Sequence, residues 1–197
     1  METGQVSDTQ IATEHHVCPW QRVRHIDNFL RPLLHNPRKL FEPYVRQGMR
    51  VLDLGCGGGF ASLGLARLVG EDGLVIAADL QPEMLRMVEE KAARAGLSER
   101  IRVHRCEADR VGVRDKLDFV LAFWMVHELP DTPAFFREML GQLGPGGALF
   151  IAEPKFHVSR RDLEHAVQEA QDAGFIVSGR PSVRFSRAVV LRREITP

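Results

Sequence analysis

The sequence predicts an α/β fold: a doubly wound, mostly parallel seven-stranded sheet with a C-terminal antiparallel hairpin and helices on both faces. Three observations predict it. Short apolar runs alternate with longer segments of helical period, the pattern of successive βαβ units. The first apolar run, Met49 to Leu54, enters the cluster Gly55-Cys56-Gly57-Gly58-Gly59, and a helix opens directly behind it at Phe60 or Ala61. Strand, glycine turn and helix in that order create a ligand crevice at the carboxyl ends of parallel strands. The last two apolar runs, Phe175 to Val177 and Ala188 to Leu191, have no helical segment between them, so they pair as a hairpin and one of them runs antiparallel.

The elements follow in order. Residues 1–18 read as a flexible tail, polar through Glu14. His15, His16 and Cys18 are metal-binding residue types, but crowded on an extended lead-in they close no tetrahedral site, and the plain lead-in is preferred. Residues 19–47 read as an N-terminal helical cover. Ile26, Phe29, Leu30, Leu33 and Leu34 fall near helical spacing. Asn36-Pro37 then supplies an N-cap and first helical residue. Leu40, Phe41, Tyr44 and Val45 give the helix behind it an apolar face, ending near Gln47-Gly48.

Residues 48–197 form the main domain. After the first strand, the helix Phe60 to Val69 is followed by the turn Gly70-Glu71-Asp72-Gly73 and a second strand, Leu74 to Ala78, ending in Asp79. Gln81-Pro82 opens a helix with Met84, Leu85, Val88, Ala92 and Ala95 on one side, stopped by Gly96. Ile101 to Arg105 alternates as a half-exposed third strand, and the connection after it accommodates one further helix. Leu117 to Phe123 is apolar throughout, which suits the middle of a sheet. Asp131-Thr132-Pro133 caps a helix to about Leu143. Gly144-Pro145-Gly146-Gly147 turns into a fifth strand, Ala148 to Ala152. Ser159-x-x-Asp162 starts a helix as a capping box, and Gly174 stops it.

The composition excludes several function classes. Of 197 residues, 44% are apolar and 26% charged, ordinary for a globular domain. Lys plus Arg and Asp plus Glu each number 26, so no global field draws the chain to nucleic acid or an anionic membrane. Arg180, Arg184, Arg187, Arg192 and Arg193 read as a solvated sheet edge. Three cysteines make no even disulfide framework, which points to a reducing compartment. No apolar signal segment stands near Met1, and the longest apolar run, Phe119 to Val126, is too short to span a bilayer. The expectation is a soluble, cytoplasmic protein.

The glycine turn narrows the ligand. A dinucleotide fingerprint, G-x-G-x-x-G/A, needs a third small residue where Phe60 stands, and no P-loop pattern is present. Instead Asp53 precedes Gly55-x-Gly57-x-Gly59 by two positions. With Asp79 ending the second strand and Leu143-Gly144-Pro145-Gly146-Gly147 before the fifth, the chain resembles the class I, Rossmann-like S-adenosylmethionine (SAM)-dependent methyltransferases of small-molecule type.

The resemblance implies SAM as cofactor and S-adenosylhomocysteine as product. It implies that Asp53, Gly55, Gly57 and Gly59 form the loop around the amino-acid end, with the Gly55 and Ala122 carbonyls on the ammonium. Asp79 would accept the ribose hydroxyls, a role a dehydrogenase shares. Leu80 and Met84 would wall the adenine, although core packing explains Met84 equally well. Glu107 would accept from the adenine amino group and the Ala108 N–H would donate to the ring; a slipped register makes Asp109 the partner instead.

Absences narrow the acceptor. The fourth strand ends in Ala122-Phe123-Trp124-Met125, not in the [N/D/S]-P-P-[Y/F/W] element of amino-methylating nucleic-acid enzymes. It lacks the acid with which catechol-type relatives hold magnesium, and three cysteines are too few for the arsenite-methylating pattern. A small molecule methylated without a metal is the expectation. His127 is the candidate general base, since it follows the fourth strand and titrates near neutral pH; a structural histidine at a strand–helix junction is the competing reading. Glu128 and Glu153 are weaker alternatives. Trp124, Tyr44 and Trp20 are candidate walls of the acceptor pocket, or plain packing. Two other functions stay open: a non-catalytic SAM- or nucleotide-binding module, and a nicotinamide oxidoreductase, disfavoured by Phe60.

Overall fold

The computed structural model describes residues 36–193. The expectations for the tail, for His15, His16 and Cys18, for Trp20 and for a helix within 24–34 lie outside the described residues.

Seven strands form one sheet: β1 (Arg50–Leu54), β2 (Leu74–Asp79), β3 (Ile101–Arg105), β4 (Leu117–Phe123), β5 (Leu143–Pro154), β6 (Phe175–Gly179) and β7 (Ser186–Arg193). Their order is β3-β2-β1-β4-β5-β7-β6. β1 pairs with β2 and β4, β2 with β3, and β4 with β5, all parallel. β7 is antiparallel to both β5 and β6. The C-terminal hairpin thus exists as the sequence predicts.

Among the described residues, five α-helices cover the sheet: α1 (Pro37–Phe41), α2 (Phe60–Val69), α3 (Pro82–Ala95), α4 (Thr132–Gln142) and α5 (Arg160–Asp172). The period-2 alternation of the strands divides the core into layers. Leu52, Ile76, Val120, Leu149 and Leu191 point to the face covered by Phe136 and Met139 of α4 and Leu163 and Val167 of α5. Val51, Val75, Phe119, Leu121 and Phe150 point to the other face, under Phe41 of α1 and Leu65 and Val69 of α2. Leu85 and Val88 of α3 pack on Ala77 nearby. Sequence and structure agree on the caps. Asn36 accepts from the Lys39 N–H, Asp131 accepts from Ala134, and Ser159 with Asp162 makes the reciprocal capping box.

Four expectations are corrected. The helix begun at Pro37 ends at Phe41 rather than near Gln47. Pro43 cannot continue it, because proline has no N–H to give the carbonyl four residues back. No helix forms in the connection after β3. Its backbone is held instead by Glu138, which accepts the Val111 and Gly112 N–H groups at 3.0 and 2.7 Å. β5 starts at Leu143, not Ala148, because Leu117 pairs with Leu143 before the register jumps to Phe119 with Ala148, leaving the glycine turn as a bulge within the strand. Finally, β7 is an interior strand, not a solvated edge. Arg187, Arg192 and Arg193 bond backbone carbonyls, and Arg180 pairs with Glu164.

Candidate active site

The strand order reverses between β1 and β4, and a cleft opens there, where a doubly wound sheet binds its ligands. Its floor is the turn after β1. Gly55 has φ +65°, and a Cβ there would lie 3.0 Å from the Met125 Cβ. Only glycine takes that backbone while the loop after β4 presses against it. The adjoining Cys56 N–H donates to the Ala78 carbonyl at 3.0 Å, stitching the turn to β2.

Asp79 forms the side of the cleft. One carboxylate oxygen accepts the Gly57 N–H at 3.0 Å and the other the Gln81 N–H at 2.9 Å. The residue is 9% exposed. Burial raises its carboxyl above the usual aspartate range, and the backbone N–H groups of Gln81, Gly57 and Leu80 oppose that rise. The carboxylate is therefore fixed in place, with lone pairs left over toward the cleft. Leu80 and Met84 continue this wall. Cys56 and Cys106 also border it. Burial pushes both thiols up, Cys106 to about 12, so they stay protonated and unreactive.

The loop after β3 brings Glu107, Ala108, Asp109 and Arg110 to the rim. Arg110 holds both oxygens of Glu107, at 2.7 and 3.1 Å, and keeps that carboxyl below its ordinary range. Asp109 borders the same rim. The opposite wall comes from the end of β4: Phe123, Trp124 and Met125. Trp124 has φ +64°, a conformation that bulky residues adopt at a cost and that marks functional loops. Its indole N–H donates to the Ser186 Oγ at 2.8 Å, and its backbone N–H to the Ala152 carbonyl at 2.8 Å.

Among the described residues, the cleft is bordered by the carboxylates of Asp79, Glu107, Asp109, Glu128, Asp131 and Glu138 and by one cation, Arg110. A diphosphate would meet repulsion from that lining, whereas a ligand carrying positive charge would meet attraction. A narrow second cavity shares Gly55, Cys56 and Phe123 with the cleft and reaches Asp53 and Phe60 under Pro37, Leu40 and Phe41. Asp53 is 2% exposed and accepts from the Ser62 Oγ at 2.5 Å. The roof sits close because Gly64 of α2 lacks a side chain: a Cβ there would lie 2.4 Å from the Pro37 Cβ.

Seven of the ten residues proposed from sequence for the cofactor border the cleft: Gly55, Gly57, Asp79, Leu80, Met84, Glu107 and Ala108. Asp53 borders only the second cavity. Two, Ala122 and Gly59, border neither cavity. Ala122 is fully buried in β4, paired with Leu54 and Ile151, and Phe123 takes its place in the lining. Gly59 caps α2 and packs against Val88. Tyr44 is core rather than pocket wall, stacked on Phe119 at 6.2 Å and edge-on to Phe150 at 5.4 Å.

His127 lies in the 3₁₀ turn Val126–Glu128. Its neighbours Met125 and Glu128 border the cleft, and His127 itself is not among the lining residues. Its Nδ1 is 2.5 Å from a carboxylate oxygen of Glu153. That hydrogen bond raises the imidazole above the ordinary histidine range; burial opposes the rise and the charges of Glu153 and Glu128 add to it.

Sequence reasoning missed Glu138, Ser62 and Ser186. Glu138 had a signal, as an acid three residues after Phe135 and one before Met139, beside the apolar face of α4. Ser62 and Ser186 had none, because their partners Asp53 and Trp124 lie 9 and 62 residues away.

The fold and site together are an open α/β sheet with an acid-lined cleft at its switch point. Residues 46–180 match the family model described as "Methyltransferase domain", and the chain belongs to that family. It is 35% identical over 105 residues to the Ubiquinone biosynthesis O-methyltransferase of Xanthomonas axonopodis pv. citri (strain 306), a match covering 53% of this chain and 43% of that protein. It is 33% identical over 110 residues to the Ubiquinone/menaquinone biosynthesis C-methyltransferase UbiE of Cronobacter sakazakii (strain ATCC BAA-894), covering 55% and 44%. The chain thus spans less than half the length of these curated relatives. Over nearly its whole length it is similar to the crystal structure of a SAM dependent methyltransferase from Aquifex aeolicus, with TM-score 0.79, 27% identity, and 90% of this chain and 99% of that one covered.

Proposed function

We propose that the protein is a SAM-dependent methyltransferase acting on a small-molecule acceptor. The observation that carries this reading is the Asp79 carboxylate, fixed by the Gly57 and Gln81 N–H groups at the side of a cleft with an acidic lining. The residues present fit SAM. The Gly55 turn leaves space that a Cβ would fill, and Asp79 offers acceptors for a ribose diol. Leu80 and Met84 suit the adenine faces, the polarisable Met84 sulfur especially. Asp53 and the Gly55 carbonyl suit the amino-acid end. Because Arg110 already engages Glu107, the Asp109 carboxylate is the better acceptor for the adenine amino group.

When bound, SAM supplies an electrophilic methyl group on a sulfonium that departs as a neutral thioether, so no protein acid is needed for the leaving group. The protein's task is then to align the acceptor and, where the acceptor arrives protonated, to take that proton. His127, on the turn between the lining residues Met125 and Glu128, is the residue proposed for it, and Trp124 is the proposed acceptor wall.

Calorimetric titration with SAM, S-adenosylhomocysteine and NAD tests the ligand, with the adenosyl compounds binding and NAD not. Incubation with SAM and a metabolite extract, read as the mass gain of one methyl group, tests the reaction. Binding without any methylated product leaves a non-catalytic SAM-binding module; binding of NAD alone overturns the reading.

A further inference from the structure

The Glu153 carboxylate stands at the end of β5, 2% exposed, and both of its oxygens are committed. One accepts the Val126 N–H at 2.9 Å; the other lies 2.5 Å from the His127 Nδ1. A carboxylate at that depth is tolerated because fixed donors satisfy it. An ionised carboxylate has no proton to give, so the proton between the two groups belongs to Nδ1. A neutral imidazole carries only one ring proton, and with Nδ1 holding it, Nε2 keeps its lone pair. The ring is also held from its face. His157 stacks on it with centroids 6.1 Å apart and planes 17° from parallel, and Phe156 backs His157 at 5.0 Å. The titratable groups around His127 are therefore Glu153 from β5, His157 from the segment after β5, and Glu128 from its own turn.

We propose that Glu153 is a positioning residue that fixes the His127 ring and its tautomer, leaving Nε2 as the one basic ring atom for an acceptor whose nucleophilic atom arrives carrying a proton. The proposal rests on the methyl-transfer reading above. In the step it describes, the proton of an acceptor O–H or N–H moves to Nε2 and the bonding pair stays on the acceptor heteroatom. The ring becomes an imidazolium whose other proton still faces Glu153, and the carboxylate stabilises that charge. The acceptor class is accordingly a hydroxyl or N–H compound, not an aprotic nucleophile that needs no base.

The test is nitrogen NMR of the full chain labelled at its imidazoles, followed across pH, with the His127 signals assigned through His127→Gln. In the neutral wild-type ring, Nδ1 is expected to appear protonated and Nε2 unprotonated. Glu153→Gln keeps the shape and removes the charge, and should lower the His127 titration midpoint. Glu153→Leu should return the ring to the Nε2–H form. A role confined to holding the Val126 N–H would move neither reading. A wild-type ring found in the Nε2–H form overturns the proposal whatever the variants do. So does an unchanged midpoint in Glu153→Gln. Calorimetry with SAM on the same samples separates the two readings. SAM bound beside the wrong tautomer sinks only the Glu153 proposal, whereas no SAM binding sinks the methyl-transfer reading and leaves the tautomer result standing.

Discussion

The Asp79 carboxylate accepts the Gly57 N–H at 3.0 Å, and this bond ties the last residue of β2 to the turn that follows β1. The same side chain is the proposed ribose acceptor, so its loss acts twice. Asp79→Ala is expected to weaken SAM binding about 10- to 100-fold, the scale of one charged hydrogen bond at about 1.5–3 kcal/mol. It should also lower the melting temperature, because two backbone donors lose their acceptor. Calorimetry and thermal melts read both, and affinity within twofold of wild type would exclude the role.

Burial raises the Asp79 carboxyl, and only the ionised form accepts from both ribose hydroxyls. SAM affinity should therefore fall on acidification, beginning above the ordinary aspartate value of about 3.9. A titration of Kd against pH that stays flat to the ordinary range contradicts this.

The rim acids separate by their partners. Arg110 holds Glu107 by two bonds, at 2.7 and 3.1 Å. Asp109→Asn is therefore expected to cost more SAM affinity than Glu107→Gln, by about fivefold or more on the scale of one hydrogen bond. Equal losses, or the reverse order, would return the adenine contact to Glu107.

Gly55 tests the turn itself. Gly55→Ala places a side chain at φ +65° and 3.0 Å from Met125. The backbone alone costs about 1–3 kcal/mol, so the denaturation midpoint should fall and SAM binding with it. A variant of wild-type stability that still binds SAM would show that the turn relaxes freely.

His127 gives a pH profile. Its folded value is raised, chiefly by the hydrogen bond to Glu153. As a base it must be neutral, so the rising limb of kcat should lie above the unperturbed value of about 6.5. The stability linkage has the matching sign: the contribution is complete below the unfolded value and lost as pH rises through the raised folded one. His127→Ala should lower kcat by about 10²- to 10⁴-fold with SAM affinity unchanged. Full activity across pH would remove His127 from the mechanism.

Much of the fold could be read locally. β1, β2 and β4 coincide with apolar runs and β3 with an alternating one, and α3, α4 and α5 begin at their cap residues. The errors came where one residue outweighed a pattern. Pro43 cut short a helix whose apolar spacing continued to Val45, and the glycine turn before Ala148 was absorbed into β5 because Leu143 pairs with Leu117 across the sheet. The cofactor half of the candidate site was legible for a related reason. Gly55, Gly57, Asp79, Leu80 and Met84 lie at or just behind the ends of the consecutive strands β1 and β2, so order along the chain nearly dictates their place in the crevice.

What the sequence by itself determined is the alternation of strands and helices, the hairpin at the C-terminus and the strand ends from which a ligand must be held. These depend on hydrophobic period and on caps, which act over a few residues. Only the tertiary structure decided that β7 inserts between β5 and β6, that Ala122 is sealed inside the sheet, and that Glu153 meets His127 across 26 residues of chain. Those outcomes depend on which strands become neighbours, and neighbour choice is settled by burial of whole faces rather than by any short stretch of residues.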